Sequence, residues 1–347
     1  MMTAATAFSR TPGRRRAIVH LGPQKTGTTA IRKWLTVNAP ALADHGFHFD
    51  PFDDTNRSPV EHGIVVAMIA LGDAIDMAPA RRARKLLGIK THQDHVAAVH
   101  RLEDLFKTSL ERAGDRTVIL SSEFLSGWAH NQSLARRICR FMHRHFDEIL
   151  YVAYIREQAD WLTSVYIQSN RTGTIRTPED FLAERSGMDY AAYTEKWTSA
   201  IGHTGRLCLR LFDRETLVDQ NAIADFAAVC GIDTTDLQQV PRSNESLTAR
   251  QIRVVQALFR MEQRFGREDA VSAGKKLRLA RLFGGGTAFG FSPDQIAHIR
   301  ASHAEANEAF RAAYFPERPV LFSNLLEDSS RSKQTQTTAR LSNEGIS

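Results

Sequence analysis

The 347-residue chain is short of cysteine, of strong net charge and of long apolar runs. Its three cysteines, Cys139, Cys208 and Cys230, are an odd number set far apart. A secreted disulfide framework is therefore excluded, and a reducing, cytoplasmic setting is expected. No run approaches the roughly 18 apolar residues of a transmembrane helix, so no stable membrane insertion is expected. The opening residues lack the apolar core of a secretory signal and place Arg14, Arg15 and Arg16 after a polar stretch. The balance of 45 Lys+Arg against 39 Asp+Glu gives a net charge of +6, which favours anionic ligands without requiring nucleic acid. The basic cluster Arg81, Arg82, Arg84 and Lys85 has no interleaved aromatics and reads as a solvated helix face, so no nucleic-acid partner is expected. Metal signals are equally sparse. His92 with His95, and His143 with His145, have no companion ligands at familiar spacing, and no H-E-x-x-H occurs.

What remains is an ordinary globular composition, 42% apolar and 24% charged. The polar ends predict a disordered arm over 1–15 and a disordered tail over 327–347. No repeat or low-complexity linker interrupts the stretch between, so 16–326 is expected to be a single domain. Four β-branched or aromatic runs predict strands: Ala17–Leu21, Thr117–Ser121, Ile149–Ile155 and Arg206–Phe212. Helical spacing follows the first at Ile31, Trp34 and Leu35, and the third at Leu162, Val165, Tyr166 and Ser169. Ser292-Pro293 supplies the start of a late helix and Pro316 its stop. Between Pro51 and Arg116 the chain reads as helices with loops. Strands alternating with helices predict an α/β fold, a mostly parallel central sheet flanked by helices in three layers, with helical insertions.

The most informative stretch is Gly22-Pro23-Gln24-Lys25-Thr26-Gly27-Thr28-Thr29, between the first strand and an amphipathic helix. Backbone N–H groups at a helix start cradle anions, glycine permits close approach, and Thr28 and Thr29 add hydroxyl donors. The glycines stand five apart, as in the G-x4-G-K-[ST] loop of ATP- and GTP-binding proteins. That loop requires lysine directly after the second glycine, where this chain has Thr28, and Lys25 comes two residues before that glycine. A nucleotide-dependent kinase is therefore disfavoured, while a plain strand-to-helix turn leaves a lysine and three threonines in close succession unexplained.

This loop resembles the first signature of sulfotransferases that use 3′-phosphoadenosine 5′-phosphosulfate (PAPS), a strand followed by P-K-[ST]-G-T-[TS] and a helix. The Lys-Thr-Gly-Thr-Thr core is intact, with Gln24 in place of the proline before the lysine and Pro23 one position earlier. The resemblance implies a P-loop-like fold, PAPS as donor and adenosine 3′,5′-bisphosphate as product, with no metal. It assigns the 5′-phosphosulfate to Lys25, Thr26, Gly27, Thr28 and Thr29. In the family the donor's 3′-phosphate is held by an Arg at a strand end and a Ser eight residues on; Arg156 and Ser164 in IREQADWLTSVY stand at that spacing. Singly, Arg156 reads as a surface ion pair and Ser164 as a solvent-facing helix residue. The stretch from Leu207 through Gly231-Ile232-Asp233 and the segment Pro241–Leu247 are similar to bacterial family members at lower specificity. The family also places a basic, Gly-containing segment over the 3′-phosphate. Gly274-Lys275-Lys276, Arg278 and Gly284-Gly285-Gly286 lack its Arg-Lys-Gly order and also read as a solvated basic helix and a flexible loop.

Sulfuryl transfer needs a base for the acceptor's proton. Glu123, after the second predicted strand, is the first candidate, with a turn cap or an acceptor-binding role as the alternative. His62 in VEHGIV is the second, with a surface helix histidine as the alternative. His92 in Ile89-Lys90-Thr91-His92 mimics the family's catalytic Lys-Thr-His strand, but Gln93-Asp94 follows and a helix is expected to begin there. The expected activity is transfer to an acceptor hydroxyl, on a carbohydrate by likeness to bacterial members. The alternatives are a kinase on the same fold and a non-catalytic nucleotide-binding domain.

Overall fold

The computed structural model describes residues 13–52, 61–76, 78–128, 132–203, 205–241, 246–266 and 271–325, with only the backbone of 78, 79, 82 and 128. The expected tail, most of the expected arm, and most of Pro241–Leu247 lie outside the described residues. Five strands occur, β1 Arg16–His20, β2 Phe47–His48, β3 Thr117–Ser121, β4 Glu148–Ile155 and β5 Gly205–Leu211. The helices are α1 Thr28–Val37, α2 Ala39–Asp44, α3 His62–Leu71, α4 Ala78–Leu86, α5 His92–Ala113, α6 Glu123–Trp128, α7 Gln132–His143, α8 Gln158–Arg171, α9 Pro178–Ala183, α10 Tyr190–Ile201, α11 Ala222–Cys230, α12 Ala249–Arg264, α13 Ala273–Arg281 and α14 Pro293–Tyr314. The described residues group into two compact units. One comprises Met1–Ile155 with Ala191–Arg242, and the other Arg156–Tyr190 with Ser243–Ser347.

The first unit holds the sheet, in the order β2-β3-β1-β4-β5, with every pairing parallel. The central strands β1, β3 and β4 read as nearly unbroken apolar runs because both faces are covered. On one face Ile18, Ile119, Leu150, Val152 and Tyr154 pack with Ile31, Trp34 and Leu35 of α1 and Phe226 and Cys230 of α11. Each such fully buried side chain contributes about 1.5–3 kcal/mol. On the other face α3 and α5 contact β3. The four strands read from the sequence are all present within one residue at each end. β2 escaped that reading, because two residues are too short for a periodic signal. The chain leaves β1 towards β3 on one side and returns to β4 on the other, so the strand order reverses at β1. Ligands in open α/β sheets gather at this switch point, beyond the carboxyl ends of the strands.

The second unit is helical. Phe181, Leu162, Tyr166, Ile252, Phe291 and Ile299 form a core between α8, α9, α12 and α14. As expected, α14 begins at Pro293 under a Ser292 cap, with Gln295 completing the capping box. The region after Pro51 is helical where described, as α3, α4 and α5. No helix among the described residues is long and apolar enough to cross a membrane.

Candidate functional site

The Gly22–Thr29 loop leaves the carboxyl end of β1 and opens into α1. Lys25 has φ 68° and Gly27, the N-cap of α1, has φ 82°, so the loop carries two left-handed turns in three residues. A Cβ on Gly27 would lie 3.1 Å from the Cβ of Ala222 and from Cε2 of Phe212, so glycine is needed for contact as well as conformation. At Gly22, with φ 53°, an added Cβ would lie 2.9 Å from both the hydroxyl and the methyl of Thr28. The loop is braced by the Thr26 hydroxyl, which donates to the carbonyl of Pro23 at 2.5 Å.

Two features of this loop suit an anion. No side-chain hydrogen bond caps the start of α1, where the positive end of the helix dipole favours an anion. The Thr28 hydroxyl is buried and meets no hydrogen-bond partner among the described residues. Leaving such a donor unpaired costs roughly 1–3 kcal/mol, which a ligand oxygen would recover. Thr29 beside it is exposed and Lys25 is half-buried. The position after the second glycine belongs to a buried threonine, so the lysine geometry of ATP- and GTP-binding loops is absent.

The carboxyl end of β3 lies against this loop. The Ser122 N–H donates to the His20 carbonyl at 3.2 Å, and the Ser126 N–H to the Leu21 carbonyl at 3.2 Å. Glu123 begins α6 here and is exposed. His62 is placed differently from either sequence expectation. It is buried at the start of α3, where Nδ1 accepts from the Ser121 N–H at 3.0 Å and Nε2 bonds the Asp50 carbonyl at 2.6 Å. Phe49 and Phe52 pack on its ring, and burial pushes its pKa down to about 4. Both nitrogens are committed to backbone, which suits a neutral structural histidine. His92 is exposed at the first turn of α5, capped by Thr91, so Ile89-Lys90-Thr91-His92 is no sheet strand.

Sequence reasoning missed three groups near this loop. Glu61, beside His62, forms an ion pair with Arg32 of α1 and accepts from the Ser122 hydroxyl at 3.3 Å. His20, the last residue of β1, is fully buried with Nδ1 2.8 Å from the Ser121 hydroxyl, and burial pushes its pKa down to about 3. Asp225 of α11 is fully buried. It accepts from the Tyr154 hydroxyl at 2.8 Å and Arg210 Nε at 3.0 Å, is also bonded by Arg210 Nη2, and accepts from the Val218 N–H at 3.2 Å. The only local hint was Glu61's adjacency to His62; the rest depends on partners far away in sequence.

The second motif belongs to the helical unit. Arg156 stands next to Glu157, the N-cap of α8, and its carbonyl accepts from the Tyr190 hydroxyl at 2.6 Å. Glu157 caps α8 by accepting from the Asp160 N–H at 2.9 Å, and it pairs with Arg300 at 3.4 Å. Burial lowers the Arg156 pKa while Asp160 and Glu157 oppose the shift, and a guanidinium stays cationic at any physiological pH. Ser164 is half-buried in the second turn of α8. Among the described residues no group of three or more His, Cys, Asp or Glu is placed to hold a metal. The Gly284–Gly286 loop after α13 is exposed.

No family model matches the sequence. A curated relative, an uncharacterised protein of Archaeoglobus fulgidus, is 29% identical over 132 residues, 38% of this chain. The chain spans 35% of the length of that relative. Among solved structures, a sulfotransferase from Alicyclobacillus acidocaldarius aligns over 75% of this chain and 99% of its own, at 15% identity and a TM-score of 0.40. The sulfotransferase domain of the Synechococcus PCC 7002 olefin synthase aligns over 81% of this chain and 100% of its own, at 13% identity and a TM-score of 0.32.

Proposed function

We propose that this chain is a sulfotransferase that moves the sulfuryl group of PAPS to an acceptor hydroxyl, on a carbohydrate, and releases adenosine 3′,5′-bisphosphate. The observation that carries the reading is the loop after β1: an uncapped helix start, left-handed Lys25 and Gly27, and a buried Thr28 hydroxyl without a partner among the described residues. A phosphosulfate fits that donor set. The Arg156–Ser164 spacing supports a 3′-phosphate, for which a guanidinium offers a forked, charge-assisted grip.

In this reading the acceptor oxygen attacks sulfur in line as the bond from sulfur to the 5′-phosphate oxygen breaks. The electron pair leaves on that oxygen, where the Lys25 ammonium stabilises charge that is largest in the transition state. The acceptor's proton passes to Glu123, the exposed carboxylate at the carboxyl end of β3. The backbone of Thr26, Gly27, Thr28 and Thr29 and the hydroxyls of Thr28 and Thr29 hold the phosphosulfate, and no step calls for a metal.

The test is transfer of labelled sulfate from PAPS to a panel of sugars, phenols and amines. Transfer to sugars, falling about 10²- to 10⁴-fold in Glu123→Gln with bisphosphate binding retained, supports the reading. Bisphosphate binding with no transfer to any acceptor makes the chain a non-catalytic binding domain. ATP consumption with Mg²⁺ in place of sulfate transfer makes it a kinase.

A further inference from the structure

Six of the ten exposed large apolar side chains among the described residues fall in one short span, as Met261, Phe265, Val271, Leu279, Leu282 and Phe283. They belong to the end of α12, to α13 and to the residues beside α13, all within the helical unit. Phe265 is 67% exposed and Leu282 79%. Isolated exposed apolar residues are ordinary on a protein surface, but a concentration of this kind marks an interaction face.

The exposed charges among the described residues of this span are basic, and although Glu268 and Asp269 stand between α12 and α13 in the sequence, 258–283 still carries seven Lys and Arg against three acids. Arg260, Arg264, Lys275 and Arg278 are exposed. The one acid among its described residues, Glu262, is buried and paired with Lys276 Nζ at 2.5 Å. That ammonium also donates to the Val271 carbonyl at 2.6 Å and lies 4.1 Å over the Phe259 ring. The pair neutralises itself while pinning α13 to α12, so the outer face is left basic. Between the helices a cavity of about 710 Å³ is lined by Leu258, Met261, Phe265, Val271 and Leu279, with Lys275 among the lining residues.

Met, Phe and Arg also occur at protein interfaces, but lysine is depleted from them, and here Lys275 lines the apolar cavity itself. An anionic bilayer meets both demands at once. Its headgroup phosphates accept from the basic residues, and its acyl region receives apolar side chains to a depth of about 5–10 Å. Leu282 and Phe283 are followed by exposed Gly284, Gly285 and Gly286, so nothing bulky obstructs their approach. We propose that the α12–α13 hairpin docks this protein on an anionic phospholipid surface, with the cavity between the helices receiving an acyl chain. The proposal does not depend on the sulfuryl-transfer reading.

The test is sedimentation of the full chain with phosphatidylcholine vesicles, with and without roughly one-third phosphatidylglycerol, the lipid that supplies the anionic field. Binding to the anionic vesicles alone is expected. The double variant Lys275→Gln/Arg278→Gln should weaken it about 25-fold, near fivefold for each basic residue. Leu282→Ser/Phe283→Ser should weaken it at least tenfold, since the Leu282 chain and the Phe283 ring leave the acyl region. All four side chains are exposed, so unchanged thermal melts verify the fold. The proposal is overturned if the wild type stays in solution with anionic vesicles, or if either double variant binds as the wild type does. A concentration-dependent dimer dissolved by Leu282→Ser/Phe283→Ser assigns the face to a second copy of the chain and also overturns it.

Discussion

Replacing Gly27 by alanine strikes the loop after β1 in two ways. A left-handed alanine at φ 82° costs about 1–2 kcal/mol. The added methyl would also lie 3.1 Å from the Ala222 Cβ and from the Phe212 ring, several tenths of an ångström inside normal carbon contact. Overpacking of that kind adds roughly 1–3 kcal/mol. The sum, about 2–5 kcal/mol, lowers the melting temperature by roughly 4–15 °C for a chain of this size. If the loop yields in place of the surrounding core, less stability is lost, but the N–H groups at the start of α1 no longer converge, and bisphosphate affinity falls at least tenfold. Thermal melts with and without adenosine 3′,5′-bisphosphate read both quantities. A variant with unchanged melting temperature and unchanged affinity would refute the assignment of Gly27 as a glycine required by shape.

Three further outcomes follow from the same structure. Asp225→Ala should destabilise by about 3–5 kcal/mol in urea titration, because Arg210, the Tyr154 hydroxyl and the Val218 N–H lose a buried partner together; Asp225→Asn should cost less, and equal costs would contradict the charge-based account. His62 and His20 are held neutral, with pKa values of about 4 and about 3, whereas the unfolded chain takes up these protons near pH 6.5. Stability is therefore full above pH 6.5 and falls with acidification towards pH 4, by roughly 1.4 kcal/mol per pH unit for each; His62→Gln should flatten the pH dependence of the urea midpoint, and an unchanged slope would show that His62 does not titrate in this window. Chelation with EDTA should leave sulfate transfer unaltered, and loss restored by Mg²⁺ would point to phosphoryl transfer.

What was legible in the sequence was local. β1, β3 and β4 announce themselves because strands covered on both faces are largely apolar, β5 because its apolar residues alternate with polar ones, and the loop after β1 because its glycines and threonines are close together. The eight-residue step from Arg156 to Ser164 needed family likeness, since no local physics distinguishes it from a helix start. What stayed hidden was fixed by distant partners. From sequence alone His62 reads as an available base, whereas in the fold the Asp50 carbonyl and the Ser121 N–H close on its two nitrogens. Arg32 finds Glu61 and Arg210 finds Asp225 by the same long-range packing. Phe47–His48 joins the sheet only because Thr117 and Val118 present a free edge.

The most direct measurement is calorimetric titration with adenosine 3′,5′-bisphosphate, with AMP and ATP–Mg²⁺ as comparisons, on the wild type and on Lys25→Ala and Arg156→Ala. Tight binding of the bisphosphate, weak binding of AMP, and at least a tenfold loss in Arg156→Ala are predicted, since a charge-assisted phosphate grip contributes more than 1.4 kcal/mol. Preference for ATP–Mg²⁺, with no effect of the 3′-phosphate and none of Arg156, would contradict the donor assignment on which the account rests.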